Sequence, residues 1–190
     1  CCAGSTRLLK WPRAFVINGN AALPCEHLTP GFILQAVEAQ GYACDGRLLA
    51  LNSYENRVYQ VGRDDDEPLI AKFYRPARWS NEAIAEEHEF CLAVVAQDLP
   101  VVAPLVGADG QTLAFHEGFR IALYPRRGGR APELDQRENL IIMGRFLARM
   151  HTVGQSPPFV HRPAVTLQSF GTDSVDYVLA NCIPADLREA

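Results

Sequence analysis

The stretch LNSYENRVYQVGRDDDEPLIAKFY, from Leu51 to Tyr74, constrains the fold more than any other part of the chain. RVYQV (57–61) and LIAKFY (69–74) carry the two-residue alternation of strands. GRDDDEP between them reads as a solvated turn, and RLLAL (47–51) supplies a strand before them. Three strands in succession need an apolar partner on at least one face.

The flanking segments provide it. Thr29-Pro30 is an N-cap followed by proline at the first helical position, and Gly41 is a natural stop, so a helix is expected over about 30–40. Ser80 can cap a second helix running to about Ala96. TLAFH (112–116) and FRIALY (119–124) form a hairpin across Glu117-Gly118. A long helix is expected over about 133–151, with Leu140, Ile141, Met143, Gly144, Leu147 and Met150 on or near one face, and a short one near 173–180. The order predicts an α+β fold: a five-stranded antiparallel sheet with one packed helix, followed by the first helices of a truncated helical lobe. The expected organisation is an unassigned tail at 1–27, a sheet lobe at 28–125, a hinge or linker at 126–132 and helical structure from 133 to 190. The chain reads as a fragment, because CIPADLREA has a helix-starting proline just before the last residues.

Composition narrows the partners. The net charge of -4 and the small size of the only basic cluster, Arg126, Arg127 and Arg130, argue against nucleic acid. No apolar run approaches a membrane span, and the N-terminal residues do not read as a convincing signal peptide, their longest apolar run being only a few residues. Six cysteines at 1, 2, 25, 44, 91 and 182 show neither C-x-x-C nor metal-ligand spacing. A reduced, cytoplasmic setting follows.

Lys72 stands out. In LIAKFY, Leu69, Ala71 and Phe73 share one face, while Ile70, Lys72 and Tyr74 share the other. A lone strand lysine is usually a snorkelling surface residue. The next helix offers an alternative. Ile84, His88, Cys91 and Val95 form one stripe, and Glu82, Glu86 and Glu89 fall on the opposite side. Glu87 lies at the border of the buried face, where a charge needs a partner. It can be a rim glutamate reaching water, or the partner of Lys72. A lysine on the third strand paired with a glutamate on the following helix is how protein kinases hold the α- and β-phosphates of ATP.

LNSYENRVYQV, AKFYRPARW, EEHEF, LPVVAPL and GRFLARMH followed by HRP closely resemble a bacterial serine/threonine kinase family, serving stress responses, within the aminoglycoside phosphotransferase/choline kinase-like superfamily. The resemblance covers about 28 to 170. It implies a kinase-like N-terminal lobe in which NSYENRV replaces the glycine-rich loop over the phosphates. Ser53 would stand nearest the phosphates, and Tyr54, Glu55, Asn56 and Arg57 would complete the loop. Lys72 would bind phosphate with Glu87 as its partner. Leu123, Tyr124 and Pro125 would be the hinge that meets adenine. ATP, magnesium and a protein carrying Ser or Thr are the implied partners, and the intact protein would be a monomer.

The superfamily's catalytic loop resembles H-G-D-x-H-x-x-N, and no such segment occurs in this sequence. HRPAVTLQ (161–168) has Pro163 where the base would stand and Gln168 where a metal ligand would stand. Neither a catalytic residue nor a metal ligand is therefore assigned here, and these 190 residues alone are expected to be inactive. His151 reads as a packed or capping residue at a helix end, His88 as core, Cys91 as a buried hydrophobe, and Asp64, Asp65 and Asp66 as a solvated turn. Besides an ATP-dependent protein kinase, two functions remain open on these residues. One is a phosphotransferase acting on a small molecule such as an aminoglycoside, choline or homoserine. The other is a non-catalytic nucleotide-binding module.

Overall fold

Both early helices start where their caps dictate. In the computed structural model, which describes residues 27–64, 66–155 and 157–184, the Thr29 hydroxyl accepts from the Phe32 amide and Pro30 opens helix α1, Pro30–Glu38. The Ser80 hydroxyl accepts from the Ala83 amide at 3.1 Å and opens α2, Asn81–Val95. Between them lie β1 (Cys44–Leu51), β2 (Arg57–Arg63) and β3 (Asp66–Phe73), and after them β4 (Ala114–His116) and β5 (Phe119–Pro125). The strands form one antiparallel sheet in the order β1-β2-β3-β5-β4.

The alternation along β3 divides the sheet's two faces as the sequence predicts. Leu69, Ala71 and Phe73 are buried with Val61, Phe119, Ile121 and Leu123. This face is closed by Ile33, Ala36 and Val37 of α1, and Phe32 stacks edge-on against Phe119 at 5.2 Å. Each fully buried Ile, Val or Phe here contributes about 1.5–3 kcal/mol through burial. Tyr74, Ala122 and Ile84 form a smaller cluster on the other face, beneath α2. The sheet thus carries a helix on each side. The element order suggests only one packed helix.

Several boundaries differ from expectation for local reasons. β1 begins at Cys44, because the ladder continues past Asp45-Gly46 with a register shift between Cys44 and Leu48. Gly62 stands opposite that irregularity, where an added Cβ would lie 2.2 Å from the Asp45 carboxylate. The β4–β5 turn uses Glu117 and Gly118 at φ 44 and 84, the two positive values that a tight hairpin requires. On α2 the buried arc runs from Ala83 and Val94 through Ile84 to His88, and Val95 is exposed. Glu87 consequently lies within that arc rather than at its edge, and Glu86 is half-buried.

Helix α3, Arg137–Val153, starts later than 133, because residues up to Gln136 form a turn in which the Asn139 side chain donates to the Glu133 carbonyl. His151 is exposed in its last turn. The chain separates into two compact units, one ending at Pro158 and one beginning at Phe159. The second holds a π-helical turn, Gln168–Thr172, running into α4, Asp173–Asn181. Residues 1–26, Asp65, Ser156 and the C-terminal residues after 184 lie outside the description, and with them nearly all of the tail and the expected final helix. Among the described residues no helix is long and apolar enough to cross a membrane.

Candidate nucleotide site

The register of the central strands gathers the site. Val58 of β2 and Ala122 of β5 flank Lys72 directly in the ladder, so all three project toward the α2 side. Lys72 Nζ lies 3.2 Å from Glu87 Oε1. Both side chains keep partial exposure, at 20% and 32%, so the pair borders solvent instead of being sealed in the core. Below it the ammonium sits over the Tyr74 ring at 4.6 Å and the Tyr124 ring at 5.9 Å. Those π faces favour a cation at this position.

The tyrosines are themselves fixed. Tyr74 Oη is 2.6 Å from His88 Nε2 and 3.2 Å from Tyr124 Oη, and His88 Nδ1 is 2.7 Å from Thr112 Oγ1. His88 is 1% exposed, so both ring nitrogens need such partners. It is core, as expected, but it is also the polar rivet that joins α2 to β3 and to the strand-entering segment at Thr112. Burial pushes the Tyr124 phenol up to about 12.

A cleft of about 360 Å³ opens in front of this pair, lined by Val58, Ile70, Lys72, Glu87, Cys91, Val102, Tyr124, Pro125 and Arg127. Its walls are apolar, and its charged groups are the lysine, the glutamate and the arginine at its rim. That is the chemistry an aromatic base carrying phosphates would fit.

The expected site residues divide into groups. Lys72, Glu87, Tyr124 and Pro125 come together at the cleft. Leu123 faces the α1 side of the sheet, and its carbonyl already accepts from the Leu105 amide at 2.7 Å. The loop residues lie between β1 and β2. The Ser53 hydroxyl donates to the Asn56 carbonyl at 2.6 Å, and Tyr54 is 98% exposed at the tip. Glu55 and Asn56 turn toward the segment after β3, and Arg57 is exposed opposite Phe73. Val58, Ile70, Cys91, Val102 and Arg127 were not among the expected residues. Strand alternation carried the signal for Val58 and Ile70, since both share the Lys72 face. Among the described residues no group of three His, Cys, Asp or Glu side chains could hold a metal ion.

Residues 47–181 match the phosphotransferase enzyme family. The chain belongs to that family. Stress response kinase A of Escherichia coli O157:H7 is 44% identical over 172 residues, covering 90% of this chain and 52% of that protein. The protein of the same name in Escherichia coli strain K12 is 43% identical over the same length. The serine/threonine protein kinase RdoA of Salmonella typhimurium is 43% identical over 154 residues, covering 81% of this chain and 46% of that protein. The chain spans about half the length of the curated relatives it matches.

Two solved phosphotransferases share its fold at 19% identity. An amicoumacin kinase, hAmiN, determined with AMP-PNP, Ca2+ and Ami, superposes with a TM-score of 0.60 over 80% of this chain and 48% of its own. A microcompartment-associated aminopropanol kinase superposes with a TM-score of 0.57 over 74% and 48%. The family member described here thus has a kinase-like fold, with its strand lysine and helix glutamate in contact.

Proposed function

We propose that this chain provides the nucleotide-binding lobe of an ATP-dependent kinase that phosphorylates serine or threonine on a protein, in a bacterial stress response. The observation that carries the reading is the Lys72–Glu87 ion pair at the back of an apolar cleft. The lysine is a compact charge suited to phosphate oxygens, and the glutamate orients it and keeps it charged. Val58, Ile70, Tyr124 and Pro125 would enclose the base, Ser53 and the amides of the β1–β2 loop would cover the phosphates, and Arg127 would add charge at the rim. The names carried by relatives at 43–44% identity support the acceptor class.

The residues present suit a nucleotide but not a metal cluster. Magnesium ligands and the carboxylate that accepts the hydroxyl proton are therefore assigned to the part of the relatives that this chain does not span. The lobe boundary is assigned to residues 126–132, an exposed irregular stretch with Gly128 and Gly129 at its centre. A monomeric, cytoplasmic protein belongs to the same reading, and the thiols of Cys44 and Cys182 are in keeping with it.

A thermal-shift titration with Mg-ATP tests the proposal. A ligand that binds only the folded state raises the melting temperature. ATP is expected to stabilise the parent chain and not Lys72→Ala. Equal responses, or no response from the parent, would overturn the reading.

A further inference from the structure

We propose that Glu55 is a positioning residue, latched with Trp79 and Arg78, that holds the phosphate-facing loop against the start of α2. This inference rests on the nucleotide-binding reading and revises the part Glu55 plays in it. The loop NSYEN (52–56) contains no glycine, so it cannot wrap phosphates by backbone freedom alone. Its shape must come from bonds. One is internal, Ser53 Oγ to the Asn56 carbonyl. The others reach across to the segment between β3 and α2. Glu55 Oε1 accepts from Trp79 Nε1 at 2.8 Å and from Arg78 Nε at 3.1 Å. Asn56 Oδ1 accepts from the Arg75 amide at 3.1 Å.

The charge logic agrees. A carboxylate aimed at nucleotide phosphates would repel them. Glu55 is instead paired with a guanidinium that itself stacks over the Trp79 ring at 4.7 Å. The segment receiving the latch is pinned from the far side as well. Arg120 of β5 donates to the Trp79 carbonyl at 2.5 Å and to the Arg75 carbonyl at 3.0 Å. Residue 80 then caps α2, which carries Glu87 to Lys72. Loop, latch, α2 and the Lys72–Glu87 pair form one continuous mechanical path. The latch therefore sets the height of the loop over the phosphates while leaving the base pocket untouched.

The test is calorimetric titration of the full chain with Mg-ATP, Mg-ADP and adenosine. Glu55→Ala and Trp79→Phe are expected to weaken ATP and ADP about tenfold, the scale of a lost hydrogen bond to a charged group, and to leave adenosine within about twofold. Retained adenosine binding certifies that the variants are folded. Glu55→Gln, whose amide oxygen can still accept from Trp79, is expected to recover part of the loss. Variants that bind ATP like the parent, or more tightly, overturn the latch alone. So does a loss shared equally by adenosine and ATP, which would mark a general structural role. A parent chain that binds none of the three takes down the nucleotide reading and the latch with it.

Discussion

Helices α2 and α3 look alike in sequence and differ in what covers them. Both are amphipathic, and α3 is the longer, with six large apolar side chains from Leu140 to Leu147. Yet α2 buries Ala83, Ile84, His88 and Val94 against the sheet, while α3 buries no residue. Leu140, Ile142 and Leu147 are about half exposed. The end of α3 is tethered only lightly, for example by Arg149 donating to the Gln97 carbonyl at 2.7 Å. An apolar stripe says that a helix face is made to be covered. The covering surface depends on residues distant in sequence, and for α2 the sheet supplies them.

The largest expected effect comes from setting one buried and one exposed apolar residue against each other. Phe73 is 1% exposed and meets the rings of Phe32, Tyr59 and Phe119. Phe73→Ala should cost about 3–5 kcal/mol in urea denaturation, through lost transfer energy and the cavity left behind. Leu147→Ala on α3 should stay within about 0.5 kcal/mol, because the site is half exposed and alanine favours the helix. Comparable losses at both positions would show that α3 is as well packed as the sheet, and the contrast would be gone.

The same contrast explains what could be read from the sequence. Strand alternation and helical spacing are local, and they raised the pairing of Lys72 with Glu87 only as one of two readings, which the 3.2 Å contact then favours. Period also separated Phe73 from Tyr74, each buried on its own face of the sheet. Other features depended on what covers a helix face. Periodicity places Val95 between Ile84 and His88, yet Val94 is buried while Val95, the last residue of α2, is exposed. Loop residues have no period at all, so nothing in NSYEN revealed that Glu55 turns toward Trp79. Nor could alternation alone reveal that Leu123 faces α1, since the register of β5 against β3 decides its face.

A smaller effect probes the polar side of the well-packed region. Tyr124 is half-buried between Tyr74, His88 and the cleft, and burial raises its phenol to about 12. A folded-state value above the unfolded one gives stability that is complete below the unfolded value. It is lost as pH rises through the folded one. Stability should therefore fall between pH 10 and about 12, by about 2–3 kcal/mol for this group. Tyr124→Phe should flatten that alkaline limb in denaturation experiments run across this range. An unchanged slope would mean that the phenol reaches water and that the α2 side is more open than the α1 side.

The smallest effect lies at the rim of the sheet, where order does not amount to stability. Asp45 accepts from the Arg47 amide at 2.8 Å and from Arg47 Nε at 2.7 Å, and these bonds hold its carboxyl below the usual carboxylate range. Lowering the folded-state value gives stability that is present above the unfolded value and lost as pH falls through the folded one. The window is therefore acidic, at and below the ordinary aspartate range. Because Arg47 is largely solvated, water and salt screen most of the gain. Asp45→Asn should slightly flatten the acid limb of stability against pH and leave the neutral plateau almost unchanged. A large loss at neutral pH would instead assign Asp45 a structural part in the β1–β2 irregularity, through its close approach to Gly62. The well-ordered edge of the sheet would then contribute to stability much as its centre does.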